Sequence, residues 1–424
     1  MERMVSALGI FVLLGIAWSI SYNRKAIRLK PVVVGLALQF LFAVLVWHVP
    51  LVRDGFYKFA QGAEGLIRLS DEGAEFLFGC LVRGEAPVEA PTRQADSTQQ
   101  GKKEAAPVIG SAKLNGILFV RMLPPIIFFS ALTSVLYYLG VLQLVVKAMA
   151  FVMTRFMGVS GAESLSAASN TVLGMTEAPL LIKPHVAHLT PSELLAVMMG
   201  GFATSAGGML ALYMTLGVPA QYLLAASLMS APAALAVAKI ILPETGTPRT
   251  AGTVKILEEK RDSNVIEALA SGTTLGLRLA LNVAAMLISF LAMIALINVL
   301  LGFAWSGLTL QKILGWVFAP FAFFLGVPPS EVLKVGQLLG TKIGLNEFIA
   351  YKMLAQMELS PRALAIASFA LCGFSNFGSI GIQIGGLGGI APQRRGEIAR
   401  FGLRAMVGGA LSSMLTAAIA GILL

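Results

Sequence analysis

Charge is what this chain has least of. Of its 424 residues, 13% are Asp, Glu, Lys or Arg, where a soluble globular chain carries roughly 25%. The aspartates are Asp54, Asp71, Asp96 and Asp262, and all of them fall in polar connecting segments. Intramembrane hydrolysis needs paired aspartates, a Ser–His pair or a zinc motif. No aspartate lies in an apolar run and no His-Glu-x-x-His occurs, so that enzyme class is set aside. Cysteine is scarce as well. Cys80 and Cys372 lie in unlike surroundings, and no disulfide framework is expected. His185 and His188 lack further metal ligands in sequence reach and read as surface histidines. The glycine run at 385–389 lacks the lysine and preceding strand of a phosphate loop, and reads as close helix packing.

What is present is apolar length. The chain is 56% hydrophobic, with continuous runs at 5–21, 32–49, 281–301 and 401–424. Each is long enough to cross a bilayer as a helix. A β-barrel would instead show short alternating strands. The expected fold is an all-α polytopic membrane protein. The net charge of +10 sits in short loops, where it sets orientation rather than attracting nucleic acid. Arg3 alone precedes the first run, while Arg24, Lys25, Arg28 and Lys30 follow it, which puts that loop in the cytoplasm and the N-terminus outside. Positive charge behind the run, not before it, marks a retained helix rather than a cleaved signal peptide.

The pattern divides the chain into four stretches: 1–140, 141–242, 243–307 and 308–424. The first holds helices 1 to 3 and a long external polar segment at 51–113, whose second half, 84–108, reads as a flexible loop. Helix 3 spans 114–140 and contains Pro124-Pro125. Residues 141–157 read as a surface-lying amphipathic helix. Residues 161–184 are too short to cross twice and too polar for one span, so they read as a hairpin that enters and leaves on one side. Helix 4, at 192–216, is expected to break at Gly200-Gly201 and at Gly207-Gly208, and helix 5 spans 220–242. The basic loop 243–262 is placed in the cytoplasm; an interfacial stretch at 265–279 leads into helix 6. A second surface helix at 308–326, a second hairpin at 328–354, helix 7 at 361–392 with a break near 373–378, and helix 8 beginning after Arg394-Arg395 and Arg400 complete the count. That makes eight transmembrane helices and two re-entrant hairpins, with both termini outside.

Two glutamates stand inside this apolar pattern. Thr176-Glu177-Ala178-Pro179 runs on to Leu189-Thr190-Pro191 and Leu194; Asn346-Glu347-Phe348 runs on to Leu359-Ser360-Pro361 and Leu364. Each feature is 170 positions from its counterpart, as are Ser205 and Ser375, and Gly208 and Gly378. Counting sides, the two copies have opposite topology. An inverted repeat with broken helices and acidic turns is the mark of a secondary transporter that holds its substrate near the midplane. A carboxylate at that depth is costly unless solvated or partnered, so Glu177 and Glu347 read as substrate or proton sites, or else as groups near the headgroups. Asn170, Thr204 and Ser205 suit a hard cation such as Na⁺, or cap the hairpin helices. Phe374, Asn376 and Ser379 suit a ligand with one flat and one hydroxylated part, or pack helices. A channel would show a ring of pore-lining polar residues instead.

Gly174-Met175-Thr176-Glu177-Ala178-Pro179, Asn346-Glu347-Phe348-Ile349-Ala350-Tyr351 and Cys372-Gly373-Phe374-Ser375-Asn376 together resemble the concentrative nucleoside transporter family. The likeness extends to Phe128-Phe129-Ser130-Ala131-Leu132 and Tyr137-Tyr138-Leu139-Gly140 in helix 3, and so covers the whole bacterial architecture. The resemblance implies a homotrimer in the bacterial inner membrane, in contact with lipid. A scaffold of helices 1, 2, 3 and 6 would make the trimer contact, and a transport part carrying both hairpins would move as a body. It implies nucleoside symport driven by Na⁺, with no other cofactor; a proton-driven symporter, or a symporter for another small polar solute, is the alternative. By matching position, Met175, Thr176, Glu177, Met209 and Phe374 would meet the nucleobase, Glu347, Asn376 and Ser379 the ribose, and Asn170, Leu173, Thr204 and Ser205 the Na⁺ ion. Met175 departs from the family, whose well-known members carry Gln there. A thioether is a weak acceptor where an amide both donates and accepts, so base preference is expected to differ while ribose recognition is kept.

Overall fold

The computed structural model describes residues 1–79, 85–89, 109–113, 118–252, 262–305 and 307–424. The fold is helical, as expected, with one addition. Two short strands, β1 (Glu85–Glu89) and β2 (Ile109–Lys113), pair antiparallel with Glu85 opposite Lys113. The rest of the expected flexible loop at 84–108, Cys80, and Lys255, Lys260 and Arg261 of the basic loop lie outside the described residues.

α1 (Glu2–Ser19) and α2 (Leu29–His48) are joined through a single 3-10 turn at Arg24–Ala26. The first half of the segment at 51–113 is not irregular. It forms α3 (Pro50–Phe78), a 29-residue amphipathic helix. Pro50 sits in its first turn, where the missing N–H costs nothing, and Gly79 leaves it at φ +55°. Its inner stripe is Ala60, Ile67, Ser70 and Ala74, all buried. Spread among many charges, so thin a stripe does not announce itself in the sequence.

α4 (Leu118–Tyr138) turns at Gly140, and the chain leaves at 75° as α5 (Val141–Val152), ending in one π turn at Met153–Met157. Val146, Ala150, Met153 and Met157 make its buried stripe. The first hairpin consists of α6 (Gly161–Asn170), a turn, a 3-10 segment at Ala178–Ile182 and α7 (Lys183–Val186). Helix 4 is two pieces, α8 (Pro191–Ala203) and α9 (Gly207–Thr215). It breaks at Thr204-Ser205-Ala206 and not at Gly200-Gly201, which stay helical and admit close neighbours instead.

α10 (Ala220–Ile241) is followed by α11 (Val265–Ala304), 40 residues without interruption. At 1.5 Å per residue it is roughly 60 Å long, so the expected interfacial stretch and helix 6 are one continuous rod. α11 packs on α4 through Gly272 and Gly276, where an added methyl would meet the α4 backbone at 2.7 Å. That small-residue spacing lets two backbones approach in lipid. α12 (Leu310–Phe324), α13 (Val332–Gly344) and α14 (Glu347–Leu354) precede the second broken helix, α15 (Pro361–Leu371) and α16 (Phe377–Ile390). α17 (Arg395–Leu423) closes the chain, and Arg400 lies within it rather than before it.

Among the described residues, α1, α2, α8 with α9, α10, α11 and α17 are long and apolar enough to cross a membrane. The offset of 170 lays α5, α6, α8 and α9 onto α12, α13, α15 and α16. The two breaks are joined reciprocally. Ser205 Oγ accepts from Gly373 N at 2.9 Å, and Ser375 Oγ donates to the Phe202 carbonyl at 2.8 Å. Ser205 and Ser375 are repeat partners and meet repeat-related peptide groups, 372–373 and 202–203, but one accepts from the N–H and the other donates to the carbonyl.

The basic segments gather at one end. Tyr22 N donates to the Ile241 carbonyl at 2.8 Å, and the Arg404 guanidinium lies 3.9 Å over the Tyr22 ring. At the other end Arg3 donates to the Leu424 carbonyl at 2.8 Å.

Candidate functional site

A cavity of about 930 Å³ opens between α4, α11, the first hairpin and both broken helices. Glu177 and Glu347 line it together, with Met175, Thr176, Met209, Phe374, Asn376, Ser379 and Leu173. Every residue assigned in the sequence to base or ribose therefore lines this one cavity. Asp262 and Ser271, at the basic-loop end of α11, also line it.

Glu347 is the best-held of these groups. It is the first residue of α14, where the positive end of the helix dipole faces it. It is only 4% exposed. Tyr213 donates to its Oε1 at 3.0 Å and Asn376 Nδ2 to its Oε2 at 3.0 Å. A carboxylate has about four acceptor positions, so each oxygen keeps capacity for a ligand hydroxyl. Asn376 and Asn346 are themselves N-caps, accepting from Ser379 N and Ile349 N at 2.9 Å each. Two capped helix starts thus carry the polar groups to the cavity wall.

Tyr213 is a site residue that the sequence reading missed. It is fully buried and stacks on Tyr351 at 4.2 Å, whose hydroxyl donates to the Ser368 carbonyl at 2.8 Å. A phenol in an apolar helix needs a partner, and that was the available signal.

At the opposite pole, Met175, Thr176 and Glu177 form the turn after α6. Thr176 Oγ1 donates to Glu177 Oε1 at 2.8 Å. Behind Met175 lies Gln383, also missed. It is buried, its Nε2 donates to the Met198 carbonyl at 2.8 Å, and its Oε1 has no partner among the described residues. A methyl added at Gly201 would meet Gln383 Nε2 at 2.6 Å and Met175 Cβ at 2.8 Å, so the two side chains share one niche.

Asn170, Thr204 and Ser205 are buried away from the cavity wall. Asn170 ends α6; its Nδ2 donates to the Ser166 carbonyl at 3.0 Å, while Oδ1 is buried with no partner among the described residues. Thr204 Oγ1 donates to the Gly200 carbonyl at 2.8 Å, and a methyl at Gly200 would lie 3.3 Å from Asn170 Nδ2. The negative ends of α6 and α8 and an orphaned amide oxygen therefore meet around Gly200. A cation fits such a place.

The sequence matches three family descriptions in succession. These are "Na+ dependent nucleoside transporter N-terminus" over 8–81, "Nucleoside recognition" over 119–220, and "Na+ dependent nucleoside transporter C-terminus" over 222–421. A Helicobacter pylori protein named nucleoside permease NupC is 39% identical, covering 99% of this chain and 98% of its own. The chain belongs to the concentrative nucleoside transporter family. A Rattus norvegicus relative, sodium/nucleoside cotransporter 1, is 36% identical across 100% of this chain, which spans 64% of that longer protein. Among solved structures, CNTnw in an inward-facing substrate-bound state is 41% identical with a TM-score of 0.88, covering 100% of this chain and 99% of that one. A doubly substituted CNTnw in an outward-facing state gives 0.87 at 40% identity, covering 100% and 98%. This family member is a multi-pass membrane protein, and its cavity lies between the two repeat-related broken helices.

Proposed function

We propose that the chain is a secondary symporter that imports nucleosides with Na⁺, by moving its hairpin-bearing part across the membrane as a body. The observation that carries this reading is Glu347, buried and fixed by Tyr213 and Asn376 with acceptor capacity facing the cavity. Ribose hydroxyls donate to an ionised carboxylate through charge-assisted bonds. A site built for them rejects analogues lacking them, because its own groups would stay unpaired. The base then lies toward Phe374, Met209 and the Met175-Thr176-Glu177 turn.

Na⁺ is the coupling ion that the donor set favours. Asn170 Oδ1, Thr204 Oγ1 and the carbonyls of Leu173 and Ser205 would hold it. An ion there ties α6 to α8 directly beneath the base end, so ion and nucleoside strengthen each other's binding reciprocally. The family descriptions and the name of the rat relative agree with that choice. The cavity reaches the end of α11 where the basic loop begins, so by the positive-inside rule it opens to the cytoplasm. Both termini are then outside, in a bacterial inner membrane. The exposed apolar length of α11, including Ile288, Leu291, Val299 and Phe303, offers surface for lipid and for the trimer contact.

Purified protein in liposomes decides the matter. Radiolabelled uridine, adenosine and guanosine should accumulate when Na⁺ is high outside, and 2′,3′-dideoxy analogues should compete poorly. Accumulation driven only by a pH gradient would replace Na⁺ by H⁺. No uptake of any nucleoside under either gradient would end the nucleoside reading.

A further inference from the structure

Lys342 is a full charge where the mechanism above uses none. It lies in α13, the first limb of the second hairpin, and is 1% exposed. Its ammonium donates to three neutral acceptors: the carbonyls of Ala370 and Cys372 at 2.8 and 2.9 Å, and Ser413 Oγ at 2.7 Å. An ammonium has three protons, so all are placed. Ala370 and Cys372 close α15, whose last carbonyls carry the negative end of its dipole.

The repeat gives this arrangement a counterpart. Ala370 corresponds to Gly200, the residue that Asn170 abuts and whose carbonyl Thr204 caps. In each half, the far end of the first hairpin limb meets the end of the following broken helix. In the first half the group brought there is a neutral amide with an orphaned oxygen, and in the second it is a lysine with every proton used. Lys342 is set two positions past the counterpart of Asn170, and α13 continues helical through it to Gly344.

We infer that Lys342 is the tethered cation of the second half, doing for α13 and the α15–α16 break what an exchangeable cation does for α6 and the α8–α9 break. This rests on reading the Asn170 pocket as an ion site. The second half then binds no ion of its own, and of these two repeat-related places only the first is open to a coupling ion. Lys342 also fixes the start of the loop that carries Asn376, and so acts on the site as a positioning residue.

The test is charge removal with chemical rescue. Lys342→Met keeps the reach and loses the charge; Lys342→Ala opens the space; Lys342→Arg keeps a cation. Thermal unfolding of the detergent-purified variants is followed in choline chloride, with and without methylammonium or ethylammonium chloride, beside uptake in liposomes. Lys342→Met should lose uptake at least tenfold and melt earlier, while Lys342→Arg retains part of both. Lys342→Ala should be stabilised saturably by the small ammonium ions, which leave the wild-type chain and Lys342→Met unmoved. Wild-type uptake and melting by Lys342→Met, or no ammonium response by Lys342→Ala, overturns the proposal. If neither neutral variant accumulates, folded Lys342→Arg supports the need for charge and failure of Lys342→Arg overturns it. A wild-type chain whose melting ignores Na⁺ sinks the ion reading of Asn170 separately, while the Lys342 variants still succeed or fail on their own melting and uptake.

Discussion

Glu347 shows how a single side chain can be costly and retained. A carboxylate in the membrane interior costs several kcal/mol unless it is partnered, and the side chains that bond to it directly here are a tyrosine and an asparagine. Those partners also set its rotamer, so their removal should be felt at the substrate. Tyr213→Phe deletes one bond to a charged acceptor, a change of about 1.5–3 kcal/mol. The expected outcome is nucleoside binding weakened roughly ten- to a hundredfold, measured by calorimetry on a variant that still purifies folded. Unchanged affinity would mean that Tyr213 only fills space. The proposed base end gives a second residue-level expectation. Met175 shares its niche with Gln383, whose free amide oxygen has no donor among the described residues. Met175→Gln puts a second amide there, and should reorder the competition of uridine, adenosine and guanosine by several-fold. An unaltered ranking refutes the idea that this turn reads the base. The glutamates were legible in the sequence because a charge in an apolar run has few explanations. Tyr213, Gln383 and Lys342 were not, because each is one polar atom on a side chain that also packs well, and its partner lies on a distant element.

Elements were read well where apolar length decides and poorly where packing decides. The runs at 5–21, 32–49 and 401–424 became α1, α2 and α17, since twenty apolar residues in lipid have no better option than a helix. Glycine was the poorer guide. Gly200-Gly201 looked like a break, yet the helix continues through them and uses their small size to admit Asn170 and Gln383. The real break begins at Thr204-Ser205, and its mate at Cys372-Gly373 requires φ +103° with Ala203 backbone 2.6 Å from where a side chain would start. Those two breaks hold each other through Ser205 and Ser375, and that is testable. Ser205→Ala strands the Gly373 N–H and Ser375→Ala removes a donor from the Phe202 carbonyl, each costing about 1–2 kcal/mol. Because both bonds pin one crossing, the double variant should lose less than the sum, with a coupling of about 0.5–1.5 kcal/mol in a denaturation cycle. Strict additivity would show that the breaks are held independently.

At the scale of the whole molecule, the proposed transport mechanism requires one body to move past another. The candidate sliding surface is where α4 meets α9. There a Cβ at Gly208 would stand 3.2 Å from Ser130 Oγ, within the approach a disulfide requires. α4 is gripped by α11 through Gly272 and Gly276, whereas α9 continues from the break beside the proposed ion and base sites. If α4 belongs to the stationary part and α9 to the moving part, this contact exists in one state only and must part in every cycle. A Ser130→Cys, Gly208→Cys pair should therefore trap the chain with its cavity as described. Oxidised protein in liposomes should lose nearly all Na⁺-driven uptake, and reductant should restore it to the level set by the two single variants. Nucleoside binding measured in detergent should survive the bond, because Glu347, Asn376 and Ser379 would travel together on the moving part and are already joined by hydrogen bonds. A rigid channel-like route through the same cavity predicts the opposite, since solute could pass without α9 leaving α4. Full uptake by the cross-linked protein would therefore discard the moving-body mechanism, while leaving the binding site itself in place.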